Sequence, residues 1–244
     1  MKQNLTAVLI FAGLFFLSPG AIAQTDVRGL YNFVSDNPVS IRVESWGTDN
    51  WGDTYLLGGF DLAQANLAPC AGRIEVARDF NLWHEVPVLK DFSLHAEYNG
   101  TLNMGNSNGL FGVSYTVPME SALLRATVSY KAFIQFNGTA ASDFPVQLTL
   151  MWRAEDLFGV AGLQFRGLAK VWGENTRYWY WDPNPADKYV GRFIISANPQ
   201  IWYALGQHIN FPGLSIGGEL EMFYNAMGRR GFHASPSLGL KIQF

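Results

Sequence analysis

The chain has 244 residues, 15% of them charged and 15% aromatic, with 25 glycines and a formal net charge of −3. So small a charge with no basic run argues against a nucleic-acid partner, and the single cysteine, Cys70, excludes an internal disulfide. Few charges beside many aromatics is unusual for a soluble domain, so the spacing of the apolar residues carries the argument.

The N-terminus reads as a leader. Lys2 supplies a positive start, Leu5 to Leu17 an apolar run, Ser18-Pro19-Gly20 a break, and Ala21-Ile22-Ala23 the small residues read by a signal peptidase. The run is short of the ~18 residues needed to span a bilayer, so cleavage after Ala23 is expected instead of anchoring. Residues 24–244 then form one domain, with no later run long and apolar enough for a transmembrane helix. Cys70, beside Pro69, is expected in a loop as a plain structural residue.

From Gln24 onward, alternation predicts strands at Val27–Val34, Val39–Trp46, Thr54–Leu62, Gly72–Phe80, Phe92–Asn99 and Leu110–Val117. Six more are predicted at Ala122–Phe133, Phe144–Ala154, Gly162–Trp172, Phe193–Ala204, Leu214–Tyr224 and His233–Phe244. Their lengths cluster near the ~9–11 residues of a tilted strand crossing a bilayer. With a periplasmic N-terminus, the short turns at Pro118–Ser121 and Glu155–Gly159 fall inside, and long connections at Gly100–Gly109, Ile134–Asp143 and Gly173–Arg192 fall outside. Two connections break this rule: Asn81–Asp91 is long for the inner side and Ser35–Pro38 short for the outer.

The last strand shows the pattern most plainly. Leu238, Leu240, Ile242 and Phe244 share one face, and Ser237, Gly239, Lys241 and Gln243 the other. Such a strand needs a partner to hide its edge, most simply the first strand. The expected fold is an all-β transmembrane antiparallel β-barrel of about 12 strands, closed by its N- and C-terminal strands. Tyr98, Tyr115, Tyr130, Trp152, Tyr203 and Tyr224 lie on the apolar faces as an interfacial girdle would.

The opposite faces carry charge deep in the strands. They send Arg42, Glu44, Arg73, Glu75, Asp79, His95, Glu97, Arg125, Lys131, Arg153, Arg166, Lys170, Glu219, Glu221 and Lys241 to the lumen, with Trp46, Phe133, Trp172, Trp202 and Phe223. Two readings stay open: mutual ion pairs that stiffen a nearly plugged barrel, or a narrow polar channel with a selective constriction. Rings in a polar lumen can stack on planar bases while charges read the polar edge. On this face assignment the solute-binding candidates are Trp46, His95, Glu97, Phe133, Arg153, Arg166, Trp202, Glu219, Glu221 and Phe223. A lumen-facing ring near a strand end equally serves as an anchor if a bulge shifts the face by one residue.

Three stretches carry a resemblance: Phe92-Ser93-Leu94-His95-Ala96-Glu97-Tyr98-Asn99-Gly100, Asn198-Pro199-Gln200-Ile201-Trp202-Tyr203, and Leu214-Ser215-Ile216-Gly217-Gly218-Glu219-Leu220-Glu221. With the closing strand they resemble the Tsx-like nucleoside-specific channels, over most of the mature chain and through diffuse strand patterns. The resemblance implies a monomeric barrel in the outer membrane of a Gram-negative bacterium that passes nucleosides and related small solutes by diffusion, without metal or cofactor. Its partners would be the lipid bilayer, the solute, and the outer-membrane assembly machinery, which the terminal Phe244 resembles a signal for.

Two other classes compete. An outer-membrane barrel enzyme acting on lipids would need a Ser–His pair near the rim, and His233 with Ser235 and Ser237 lies closest to one. Strand neighbours two apart lie side by side and form no triad, and neither a Gly-X-Ser-X-Gly elbow nor a His-Glu-X-X-His site is present. No catalysis is expected. A plugged structural or surface-contact barrel could instead present the aromatic loop Asn175–Tyr189, which would serve a channel equally by folding into its mouth.

Overall fold

The computed structural model describes residues 22–102, 106–119, 122–135, 142, 144–177, 190–226 and 230–244. Twelve strands follow in order: β1 (Ile22–Asn32), β2 (Val39–Asp49), β3 (Gly52–Leu62), β4 (Pro69–Phe80), β5 (Phe92–Leu102), β6 (Asn106–Val117), β7 (Ala122–Gln135), β8 (Val146–Ala154), β9 (Leu163–Arg177), β10 (Val190–Tyr203), β11 (Leu214–Tyr224) and β12 (Phe232–Gln243). Each pairs antiparallel with its sequence neighbours, and β1 closes on β12 with Val27 opposite Ile242 and Arg28 opposite Lys241. Every expected strand is present, and closure of the last on the first removes both sheet edges. The start of β1 and the end of β12 therefore lie together, at the end of the barrel that carries these termini. No helix among the described residues is long and apolar enough to cross a membrane; α1 (Gly206–Ile209) is one turn in the β10–β11 connection.

Alternation sorts the side chains into two media. Phe111, Leu148, Leu150, Leu238 and Leu240 stand on the outer face and are all exposed. Asp26, Arg28, Asp79, Glu97, Arg125, Arg166, Lys170 and Lys241 point inward and are buried. An apolar exterior around a charged interior inverts a soluble protein and is the arrangement of a membrane-spanning barrel. Arg78 is the local exception, a buried cation on the outer face at the end carrying the termini. There it donates to Asp49 and Thr54, both at 2.6 Å, and lies over the Phe80 ring.

Several expected loops are shorter than the sequence reading made them. Gly100–Gly109 is mostly strand, since β5 runs to Leu102, β6 starts at Asn106, and Tyr98 pairs with Gly109. Its glycines and asparagines read as turn, but Tyr98 lies along Gly100 and donates to Ser107 at 3.2 Å, replacing the side chain that glycine lacks. Likewise β9 extends to Arg177 and β10 begins at Val190, narrowing the Gly173–Arg192 connection. The aromatic stretch within Asn175–Tyr189 lies outside the described residues beyond that strand backbone, as does the leader up to Ala21. Cys70 lies in β4, not in a loop, as the unpaired residue where the register shifts between the pairs Leu62–Pro69 and Asp61–Ala71; its Sγ contacts the Asp61 carbonyl at 3.3 Å. The long inner connection Asn81–Asp91 is present and folds back on the rim, with Trp83 Nε1 on the Phe92 carbonyl and the Asn81 amide on that of Trp51.

Candidate functional site

The lumen is filled by two ion networks. In the first, Arg28 on β1 donates to Asp26 at 2.7 Å, to Gln200 on β10 at 2.9 Å, and to Glu44 on β2. Arg166 reaches from β9 to the same Asp26 at 2.8 Å and to Gln200 at 3.2 Å, so two cations from distant strands share one carboxylate. Glu219 stands 3.8 Å from Arg28. The second network centres on Asp79 and Glu97. His95 lies between them at 2.9 and 3.0 Å, Arg125 joins Asp79 at 2.8 Å and also Asp53, and Ser114 donates to Asp79 at 2.6 Å. Lys170 ties the networks' opposite walls together, crossing from β9 to Glu97 on β5 at 2.9 Å and to Glu75 on β4 at 2.7 Å. Each removal of a charge from water is costly unless paired and hydrogen-bonded, and this wall-to-wall pairing supplies that compensation.

Between the networks lies a cavity of about 70 Å³. Its charged lining is balanced, with Arg28, Arg73 and Lys170 against Glu44, Glu75 and Glu221, and the rings of Tyr55 and Phe223 complete it alongside Asn198. Arg73 spans the lumen to Glu221 at 2.9 Å. At roughly 30 Å³ per water, the space enclosed holds about two.

The ten candidate residues all belong to lumen-facing strand positions, though among those with described side chains only two reach the cavity. Glu221 and Phe223 line it. His95 and Glu97 sit in the second network, Arg166 and Glu219 in or beside the first, and Arg153 pairs with Glu155 at the end carrying the termini. Trp46 packs 6.0 Å from Tyr55 with the Arg125 guanidinium 5.0 Å above its ring. Trp202 is fully buried, donates to Gln200 at 3.1 Å, and carries Arg28 and Lys241 over its ring at 5.9 and 5.4 Å. Trp172 has Lys131 at 4.0 Å. These rings thus hold the protein's own cations by cation–π attraction. The strand position of Phe133 is opposite Asn108, and its side chain lies outside the described residues.

Sequence reasoning missed Asp26, Arg28, Tyr55 and Asn198. The signal for Asp26 and Arg28 was present, since both alternate with Val27, but the predicted strand began five residues too late, leaving Asp26 outside it, and Leu30 breaks the polar row. Tyr55 reads as apolar filler until Trp46 is seen opposite it.

Among solved structures, the NanC porin matches with a TM-score of 0.54 at 9% identity, covering 90% of this chain and 98% of that one. The KdgM porin matches with a TM-score of 0.47 at 10% identity, over 91% and 99% of the two chains. OccK10 (OpdN) of Pseudomonas aeruginosa matches with a TM-score of 0.41 at 9% identity, over 93% and 99%. At such identities the NanC likeness is one of fold. No curated protein matches the sequence. One family model, described as a domain of unknown function, covers residues 26–244, from the first lumen carboxylate to the terminal phenylalanine, and the chain therefore belongs to the DUF5020 family.

Proposed function

We propose that the protein is a passive channel of the Gram-negative outer membrane that passes small polar solutes by diffusion, with nucleosides, as in the Tsx-like channels, the first class to test. The observation that carries this reading is the mid-lumen cavity, where paired charges of both signs meet two aromatic rings inside an apolar-walled barrel. Solute would bind weakly to successive polar groups and leave as easily, with no energy source or chemical step. The working unit would be a monomer, exported by its leader and inserted by the outer-membrane assembly machinery.

Flux into liposomes containing the purified protein tests this, comparing nucleosides with sugars and amino acids of similar size. Faster nucleoside entry supports the full proposal, and equal entry of all solutes leaves a channel without the specificity. The crossing pairs Lys170–Glu75, Lys170–Glu97 and Arg73–Glu221 favour a second reading, a plugged structural barrel. Absence of flux for every solute would favour it.

A further inference from the structure

We propose that Asn198 and Arg73 select an uncharged solute by a carbonyl-bearing edge, an inference that rests on the channel reading. The first ground is charge. The cavity's cations and anions are already matched, Arg28 with Glu44, Lys170 with Glu75, and Arg73 with Glu221. A charged solute would bring an uncompensated charge into that low-dielectric space or break a pair to find a partner, and either is unfavourable. An uncharged solute avoids both.

Hydrogen bonding is the second ground. Among the described residues of the lining, two buried donor atoms have no partner, Arg73 Nε and Asn198 Nδ2, and no buried acceptor lacks one. Asn198 is about nine-tenths buried, and its oxygen is already taken by Gln200 at 2.6 Å, which fixes the amide with its NH₂ left over. Buried donors without partners favour an occupant that offers acceptors. Water can fill this role when the channel is empty, and a carbonyl edge would replace it in transit. The third ground is size: a space for about two waters admits one edge of a solute at a time, so selection acts on the groups that edge carries.

Inosine and adenosine share sugar and ring size and differ at C6, where inosine carries an oxygen and adenosine an amino group. With the full chain in liposomes, inosine should enter about 2- to 10-fold faster, the range set by one net hydrogen bond. Asn198→Asp keeps the acceptor for Gln200 but turns the donor into a second acceptor, so the preference should reverse. Asn198→Leu should bring the ratio close to one. Both variants are first checked for resistance of the folded barrel to unheated SDS, and either one that folds suffices. Equal entry of the two nucleosides into wild-type liposomes, or an inosine preference unchanged in a folded variant, overturns the inference while the channel reading stands. Entry of erythritol with neither nucleoside does the same. No entry of any solute overturns both.

Discussion

Lys170 is the residue on which the lumen's closure turns. Its ammonium sits between Glu75 and Glu97, five and four strands round the wall from its own β9. Lys170→Met would leave two buried carboxylates facing each other with one cation fewer. Removing one partner of a buried ion group costs about 3–5 kcal/mol, so the midpoint of urea unfolding, followed by tryptophan fluorescence, should fall clearly. In planar bilayers the same variant should conduct more and shift the reversal potential in a KCl gradient toward cation selectivity; an unchanged conductance would mean the crossing lies off the solute path. That Lys170, Glu75 and Glu97 face inward was legible from alternation alone, because charge at every second residue has only one place to go in a lipid-embedded strand. Their partnership was not, since alternation fixes a face and says nothing of which strands meet across the lumen. For the same reason Trp46 and Trp202 could be placed inside, while the cations over their rings, from β7, β1 and β12, could not be foreseen.

At the scale of strands, β10 and β11 hold the cavity's most exacting surface. Pro199 has no amide hydrogen, and the β10–β11 ladder shows its gap there, with pairs at Ala197–Met222 and again at Gln200–Glu219. Asn198 sits at that gap. Gly217 on β11 lies against Trp202, where an added Cβ would meet the Ile201 carbonyl at 2.1 Å and the indole at 2.9 Å. Gly217→Val should therefore push the two strands apart, lowering stability by about 1–3 kcal/mol as overpacking does and moving Trp202 toward water. A lower urea midpoint with a red-shifted emission would register both effects. The sequence specified these strands well where Val, Leu, Ile and aromatics alternate with polar residues. It failed at Gly100–Gly109, where glycine and asparagine signal turns but the chain stays paired because Tyr98 covers Gly100 from the same strand.

For the molecule as a whole, the informative comparison is between its two surfaces. Leu150 stands midway along β8 on the outer face, flanked by Ala126 and Ala169. Leu150→Arg should destabilise the barrel in bilayers by about 2–4 kcal/mol, as expected for an arginine facing lipid near the midplane, measured by urea titration of vesicle-inserted protein. A negligible effect would place that face away from lipid. Closure of β1 on β12 was anticipated from the terminal strand, whose edge would otherwise be left open; the degree to which side chains fill the interior stayed open between a nearly plugged barrel and a narrow channel, because filling depends on how far each side chain reaches across. Cys70, finally, gives the molecule a chemical address. It is the chain's single thiol, half-buried near the start of β4, at the end of the barrel opposite the start of β1 and the end of β12. A membrane-impermeant maleimide added to intact cells would thus distinguish the cell-facing end from the outward one without any engineered tag: labelling before lysis would orient the termini inward, and labelling only after lysis would reverse the barrel.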